Sequence, residues 1–313
     1  MNRVGVLQLG ALLWLGVIAV LPAKAAGNTV SAVDPQLAQG EYLFRAGGCY
    51  GCHTDVEARG RPLAGGRALD TPFGRFYAPN ITPDAETGIG AWREQDFVRA
   101  LRDGADPRGE HYYPAFPYTA YTRLSDDDLR DLWAYLRAQP AVRQPNRMHQ
   151  LAWYARSRSL LRLWKEVYFT PGTYRPDPSQ SAAWNRGAYL VEAAAHCGEC
   201  HTPRRWTGAL DGERRHAGTR TGPDDTMVPN ITPDRGTGIG RWRASGLATY
   251  LQSGLRPDGD SASGLMAEVI DNGLRHLRPD DLAAIAEYVL SMPPVNNPVR
   301  SADRKPAKKG EFD

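Results

Sequence analysis

The sequence of 313 residues has little cysteine, little net charge and, beyond its first residues, no long apolar run. The formal charge is only +3, so no bulk positive field is available to hold nucleic acid. No segment after residue 25 is long and apolar enough to cross a bilayer, and no cysteine directly follows that position to carry a lipid. A Ser/His/Asp constellation and a phosphate-binding loop are lacking as well. These absences argue against nucleic-acid binding and against stable membrane insertion.

The first residues have the pattern of a secretory signal. Arg3 precedes an apolar run from Val4 to Leu21, and Ala23-Lys24-Ala25 then supplies a small-residue cleavage site. An uncleaved membrane anchor is the alternative, because the run nearly reaches the length of a transmembrane helix. The Ala-x-Ala exit favours cleavage after Ala25. We therefore expect residues 1–25 to be a signal peptide and the mature protein to be soluble and periplasmic.

The four cysteines form two pairs, and each pair is directly followed by a histidine. In an exported chain, four cysteines ordinarily indicate two disulfides. In Cys-x-x-Cys-His, however, the two thiols can form thioether bonds to the vinyl groups of one haem while the histidine coordinates its iron. Zinc would need further ligands at matching spacing, and a thioredoxin-type pair does not require the histidine.

The motifs therefore predict two covalently bound c-type haems. The attachment residues are Cys49 and Cys52 for haem 1, and Cys197 and Cys200 for haem 2. The corresponding iron ligands are His53 and His201.

The chain also repeats itself. Residues 79–93 and 229–243 are identical at twelve of fifteen positions, and the surrounding composition is typical of helices and ordered loops. We predict an all-α fold with two tandem cytochrome c domains related by internal duplication. The predicted order is domain 1 over residues 33–140, a linker with a basic amphipathic helix over 141–182, domain 2 over 183–296 and a disordered tail over 297–313.

The linker carries Arg156, Arg158, Arg162 and Lys165 among apolar residues. This pattern indicates either a docking face for an acidic partner or a helix that packs across both domains with a solvated basic side. The second interpretation is the commoner one for a run of charges.

The order of the motifs resembles the periplasmic mono- and dihaem class I cytochromes c. Each Cys-x-x-Cys-His is followed by Asn-Ile-Thr-Pro-Asp-x-x-Thr-Gly-Ile-Gly, and the first also by a proline-containing loop. The resemblance covers residues 36–295, and it is to the dihaem group akin to the cytochrome subunits of membrane-linked alcohol and sugar dehydrogenases. It implies a small helical fold in each domain, iron held by histidine and methionine, and electron transfer to or from other redox proteins.

In that family the sixth iron ligand is a methionine in the loop before the last helix. The two copies align at an offset of 150 from Asn80 and Asn230 onward, which makes Met266 this ligand for haem 2. Its counterpart is Phe116, and no methionine occurs between residues 49 and 136. Haem 1 is then five-coordinate, or bound by a weak ligand such as water, or ligated by another side chain. His111 is the nearest candidate, and Met148 and His149 are the less favoured ones.

The leading hypothesis is an electron carrier rather than an enzyme. It would accept electrons from a periplasmic dehydrogenase and pass them to a downstream cytochrome or oxidase. The alternative is a haem enzyme or ligand sensor that uses an open sixth site at haem 1, for example on peroxide or a small sulfur compound, because an iron with an exchangeable site can bind a substrate.

Overall fold

A computed structural model describes residue 1 and residues 34–299 of the chain. The predicted signal peptide and the end of the predicted tail lie outside these residues. The described part is mostly helical. Its α-helices are α1 (Pro35–Ala46), α2 (Cys49–His53), α3 (Glu94–Asp103), α4 (Tyr118–Tyr121), α5 (Asp126–Arg137), α6 (Arg158–Tyr168), α7 (Ala182–Tyr189), α8 (Gly198–His201), α9 (Ala244–Ser253), α10 (Gly264–Asn272) and α11 (Pro279–Ser291). We refer to residues 34–156 as the first half and to residues 182–299 as the second half.

The prediction of an all-α fold needs one correction. Three short strands, β1 (Ala68–Thr71), β2 (Gly74–Tyr77) and β3 (Gln150–Leu151), form an antiparallel sheet in the order β1-β2-β3. Strands of two to four residues are too short for a period of two to be recognised in the sequence. Because β3 lies in the predicted linker, the beginning of that linker is part of the first half.

In each half the first helix crosses the last helix at a glycine. A Cβ added to Gly40 of α1 would lie 2.1 Å from the backbone oxygen of Asp131 in α5. A Cβ added to Gly187 of α7 would lie 2.0 Å from the backbone oxygen of Ala284 in α11. Any side chain at either glycine would therefore push its helix pair apart.

A buried asparagine organises the repeated loop in each half. The side-chain amide of Asn80 donates a hydrogen bond of 2.7 Å to the carbonyl oxygen of Val142. The amide of Asn230 donates one of 2.8 Å to the carbonyl oxygen of Val295. Each loop is thus tied to a segment that follows the last helix of its half.

These following segments extend the ordered halves past the predicted boundaries. The amide N–H of Gln144 donates to Thr87 at 2.9 Å, and that of Asn297 donates to Thr237 at 3.1 Å. Val299 is buried as well. The prediction of a disordered tail is therefore wrong for residues 297–299, because their contacts are made with loops far away in the sequence.

Two tyrosine–aspartate hydrogen bonds join the halves reciprocally. Tyr42 of α1 donates to Asp281 in the first turn of α11. Tyr189 of α7 donates to Asp128 in the first turn of α5. The first helix of each half thus contacts the start of the last helix of the other half.

The linker helix α6 contacts both halves. Lys165 Nζ donates to the carbonyl oxygen of Gly104 in the first half at 3.1 Å, and Trp164 Nε1 donates to that of Thr207 in the second half at 2.9 Å. The guanidinium of Arg158 stacks on the ring of Tyr113. These partners favour the helix packed across both halves over the docking face. In the part of the chain that the structure describes, no helix is both long and apolar enough to span a bilayer.

Candidate haem-binding cavity

A continuous cavity of about 3430 Å³ runs through both halves. Pockets for drug-sized ligands measure ~300–1,000 Å³, so this cavity suits one or more large groups. The residues of both motifs border it, as do His111, Phe116 and Met266; the set is Cys49, Cys52, His53, His111, Phe116, Cys197, Cys200, His201 and Met266. The structure thus brings both motifs, Phe116 and Met266 to one cavity.

All four cysteines are free thiols that face this cavity. Cys52 is surrounded by protein yet keeps accessible surface, because that surface forms part of the cavity wall. Burial raises the pKa of Cys49 and Cys197 to about 12 and that of Cys200 to about 11. Among the described residues no three His, Cys, Asp or Glu side chains form a group that could hold a metal ion. The disulfide and zinc alternatives therefore find no support in the geometry, whereas haem attachment fits it.

The motif histidines are each held through Nδ1, which would leave Nε2 free to bind a haem iron. Nδ1 of His53 lies 2.8 Å from the carbonyl oxygen of Pro79, and Nδ1 of His201 lies 2.8 Å from that of Pro229. A carbonyl oxygen only accepts, so Nδ1 carries the proton and Nε2 keeps its lone pair. Hydrogen bonds of this kind orient metal-bound imidazoles in proteins. Burial lowers the pKa of both rings, that of His201 to about 4, so both are neutral at physiological pH.

The two prolines are functional residues that the sequence analysis did not single out. Pro79 and Pro229 are the first residues of the repeated segment, and their carbonyl oxygens fix the tautomer of the two histidines. The near-identity of the repeat at this position was the available signal. It could be interpreted only once the histidine was found beside it.

Met266 lies in the first turn of α10, borders the cavity and packs partly buried against the core. One other methionine of the described residues, Met227, also borders the cavity. It stands two residues before Pro229, whose carbonyl oxygen holds His201, and it is 48% exposed. The role of Met266 as sixth ligand stays a prediction, and its position on the cavity wall supports it.

Phe116 occupies the corresponding place in the first half. Its ring packs against Tyr112 and Tyr121, with ring centroids 5.6 and 5.7 Å apart. The hydroxyl of Tyr121 donates to the carbonyl oxygen of Gly47 at 3.1 Å, two residues before Cys49. An aromatic ring without a lone pair thus borders the cavity close to the first attachment motif.

The hydrogen bonds of His111 argue against the ligand role that the sequence suggested. Its Nδ1 lies 3.0 Å from Lys165 Nζ, which also donates to the carbonyl oxygens of Asp103 and Gly104. Burial lowers the pKa of Lys165 from its ordinary value of 10.5. As an ammonium group Lys165 has three donors and no lone pair, so two protons go to the carbonyl oxygens and the third to Nδ1 of His111. Nδ1 of His111 therefore accepts from the ammonium group. In the neutral ring the proton lies on Nε2, and neither nitrogen offers a lone pair to iron.

The two less favoured candidates for the sixth ligand of haem 1, His149 and Met148, do not suit that role either. His149 accepts a hydrogen bond of 3.2 Å from the backbone N–H of Tyr77 at Nδ1, so its Nε2 is protonated too. Met148 is 88% exposed and is not among the residues that border the cavity. No side chain considered in the sequence analysis therefore suits the sixth position of haem 1.

A mostly helical chain with Cys-x-x-Cys-His motifs on a large internal cavity is the architecture of a c-type cytochrome. The family model for cytochrome c matches residues 37–140. The diheme cytochrome c-type protein of Cereibacter sphaeroides is 39% identical over 286 residues, which cover 90% of this chain and 93% of that protein. The chain therefore belongs to the cytochrome c family, whose members bind haem covalently. The resemblance inferred from the sequence is confirmed.

Two further relatives are subunits of dehydrogenases. The gluconate 2-dehydrogenase cytochrome c subunit of Pantoea cypripedii is 39% identical over 270 residues, which cover 83% of this chain and 60% of that protein. The alcohol dehydrogenase (quinone) cytochrome c subunit of Gluconobacter oxydans is 36% identical over 291 residues, covering 90% of this chain and 59% of that subunit. The chain thus spans about three fifths of these two subunits. Similarity to such cytochrome subunits implies electron transfer.

Proposed function

We propose that this protein is a periplasmic dihaem electron carrier, built from two tandem cytochrome c domains that arose by internal duplication. The observation that carries the proposal is the pair of equivalent arrangements on one cavity. In each, a Cys-x-x-Cys-His motif faces the cavity and a proline carbonyl oxygen holds its histidine at 2.8 Å. The diheme relative supports a count of two. When bound, the haems supply the one-electron chemistry of their iron.

The motifs also lie close to each other's half. Arg67 donates to the carbonyl oxygen of Gly51, inside the first motif, at 2.7 Å and to Glu268 of α10 at 2.6 Å. Thr119 of α4 donates to Glu199, inside the second motif. Each attachment motif is thereby linked to the helix next to the sixth position of the other half. This arrangement favours electron exchange between the two sites within one chain.

The partners follow from the relatives and the first residues of the chain. Cytochrome subunits of alcohol and gluconate dehydrogenases suggest a dehydrogenase as electron donor. The predicted signal peptide suggests that the exchange takes place in the periplasm. A downstream cytochrome or oxidase would then accept the electrons.

The experiment that tests the proposal is a count of covalent haem in the purified full-length protein. We expect two haems per chain that survive denaturation, and one haem in each of the variants Cys52→Ala and Cys200→Ala. Met227→Leu is the matched control, because Met227 borders the cavity without belonging to a motif, and it should retain two. A count of one in the unaltered protein, or tightly bound zinc in place of haem, would contradict the proposal.

A further inference from the structure

We propose that the first half contains a binding site for a small exogenous anion on the side of haem 1 that faces Phe116, with Nε2–H of His111 as its hydrogen-bond donor. The inference rests on the proposed function, because it requires a haem held by Cys49, Cys52 and His53. It goes further in assigning a ligand site to one half alone.

The first step is that the side chains around this position do not supply an iron ligand. Phe116 has no lone pair, and the protons on Nε2 of His111 and His149 block those rings. Burial raises the pKa of Tyr112 and that of Tyr121 well above their ordinary values, so both phenols stay protonated. The sixth position is therefore left to a molecule from solution.

The second step is that His111 is held in place as a donor. Lys165, only 8% exposed, fixes its Nδ1, and Arg158 donates to its backbone oxygen at 2.5 Å. The residue also forms a backbone bridge with Ala105. Nε2 makes no hydrogen bond to any of residues 34–299, while the ring borders the cavity. A donor fixed from three sides and left without an acceptor suits a ligand that accepts one hydrogen bond.

The second half has neither the fixed histidine donor nor the missing thioether. The backbone bridge that corresponds to Ala105–His111 is Leu255–Ser261, so a serine stands where the histidine does. Met266, five residues later, offers the thioether that Phe116 lacks. The fixed donor and the missing thioether therefore coincide in the first half, which is what a ligand site requires and a plain electron carrier does not.

The chemistry of the site selects the ligand class. Ferric iron favours an anion, and the Nε2–H donor favours one whose far end accepts a hydrogen bond. The neighbouring carboxylates are already paired, Glu110 with Arg158 at 4.0 Å and Glu166 with Arg162 at 3.2 Å. Phe116 and Tyr112 line the cavity as well, and we assign the site to a small anion.

The test is a titration of the full-length, haem-loaded ferric protein with azide and with cyanide, followed by absorption and electron paramagnetic resonance. We expect one equivalent of anion to bind per chain and the methionine-to-iron charge-transfer band of haem 2 to stay unchanged. Phe116→Met should weaken binding by at least a hundredfold, because a thioether then occupies the position. Phe116→Ala should bind at least as tightly as the unaltered protein.

The donor role has its own readout. His111→Ala should weaken azide binding about tenfold, the effect of losing one hydrogen bond to a charged group, and leave the spectrum of the anion-free protein unchanged. His276→Ala is the matched control, since His276 does not border the cavity, and it should change nothing.

Three results would overturn the inference. These are a low-spin haem 1 that binds neither anion, loss of the methionine band on azide binding, and loss of a low-spin signal in His111→Ala, which would make His111 a ligand after all. Each can be recognised in a protein that contains two haems. Failure of the proposed function itself would appear earlier, as a wrong haem count.

Discussion

In the first half a proline carbonyl oxygen holds Nδ1 of His53, and in the second half another holds Nδ1 of His201, both at 2.8 Å. The two halves differ in another residue that borders the cavity, because the first half has Phe116 at the sequence position where the second half has Met266. The repeated loops are alike in the buried asparagine that ties each of them, whereas Met266 lies within α10 and Phe116 lies just before the short helix α4. In the proposed dihaem protein, the two irons would thus share the same support for the histidine and differ in the side chain at the sixth position.

The two tyrosine–aspartate contacts that join the halves also differ, in the charge of the groups around the aspartate. Asp281 accepts hydrogen bonds from Tyr42 and, at 2.8 Å each, from Arg186 and Arg278. Its counterpart Asp128 accepts from Tyr189 and from the neutral amide of Gln39. One of two equivalent joints is thus an ionic cluster and the other is a set of hydrogen bonds to neutral donors.

The largest expected effect comes from exchanging the residues at the sixth positions. A methionine opposite histidine raises the potential of a haem iron, so haem 1 should have the lower potential and haem 2 the higher one. Phe116→Met should raise the lower potential, and Met266→Phe should lower the higher one. Each shift should be at least ~60 mV, a tenfold change for one electron. Spectroelectrochemical titration of each variant measures both waves.

The same titration can contradict the explanation that the missing methionine causes the difference in potential between the two haems. If Phe116→Met leaves the lower wave in place, the missing methionine does not separate the two potentials. Met227→Leu serves as the control and should move neither wave.

A smaller effect is expected at the joints between the halves. Asp281→Asn removes the charge that Arg186 and Arg278 bind. Because these two side chains are 29% and 57% exposed, the free energy of unfolding should fall by about 2 kcal/mol. Asp128→Asn loses no ionic partner and should cost about 1 kcal/mol. Denaturant unfolding of the haem-loaded variants compares the two. Equal losses would mean that the arginines add nothing to the joint.

The contribution of Asp281 to stability should also depend on pH. Although burial opposes it, hydrogen bonds from Arg186 and Tyr42 hold the pKa of Asp281 well below its usual value. A carboxyl whose folded pKa is depressed stabilises the fold above its unfolded pKa of about 4, and this contribution is lost as the pH falls below that value. Unfolding measured between pH 6 and pH 3 should therefore show a smaller loss of stability in Asp281→Asn than in the unaltered protein. A parallel pair of curves would refute this.

The residues that carry the chemistry of the site could be predicted from the sequence, whereas the hydrogen bonds that hold them in place could not. The residues of the motif at Cys49–His53 could be recognised because the porphyrin dictates their spacing, and the repeat offset then paired Phe116 with Met266. The hydrogen bond between Lys165 and His111 joins residues 54 positions apart, and that between Tyr42 and Asp281 joins residues 239 apart. Neither follows a local period. The tautomer of His111, which decides its role, depended on such a contact.

The smallest effect is expected at Arg67, which links the first attachment motif to α10. Its side chain is 21% exposed and that of its partner Glu268 is 40% exposed, and ion pairs of this kind contribute about 0–1 kcal/mol. Arg67→Ala should cost more than Glu268→Ala, because Arg67 also donates to the carbonyl oxygen of Gly51 at 2.7 Å. A double-mutant cycle separates the two contributions, and Arg45→Ala, which breaks an exposed pair within α1, is the control.

The second motif is linked to the first half without an ion pair, because Glu199 accepts a hydrogen bond from the uncharged Thr119. The salt dependence of stability should therefore change with Arg67→Ala and not with Thr119→Ala. If both variants respond to salt alike, the two links between motif and neighbouring half do not differ in charge, and the asymmetry of the halves is confined to the sixth positions and the joints.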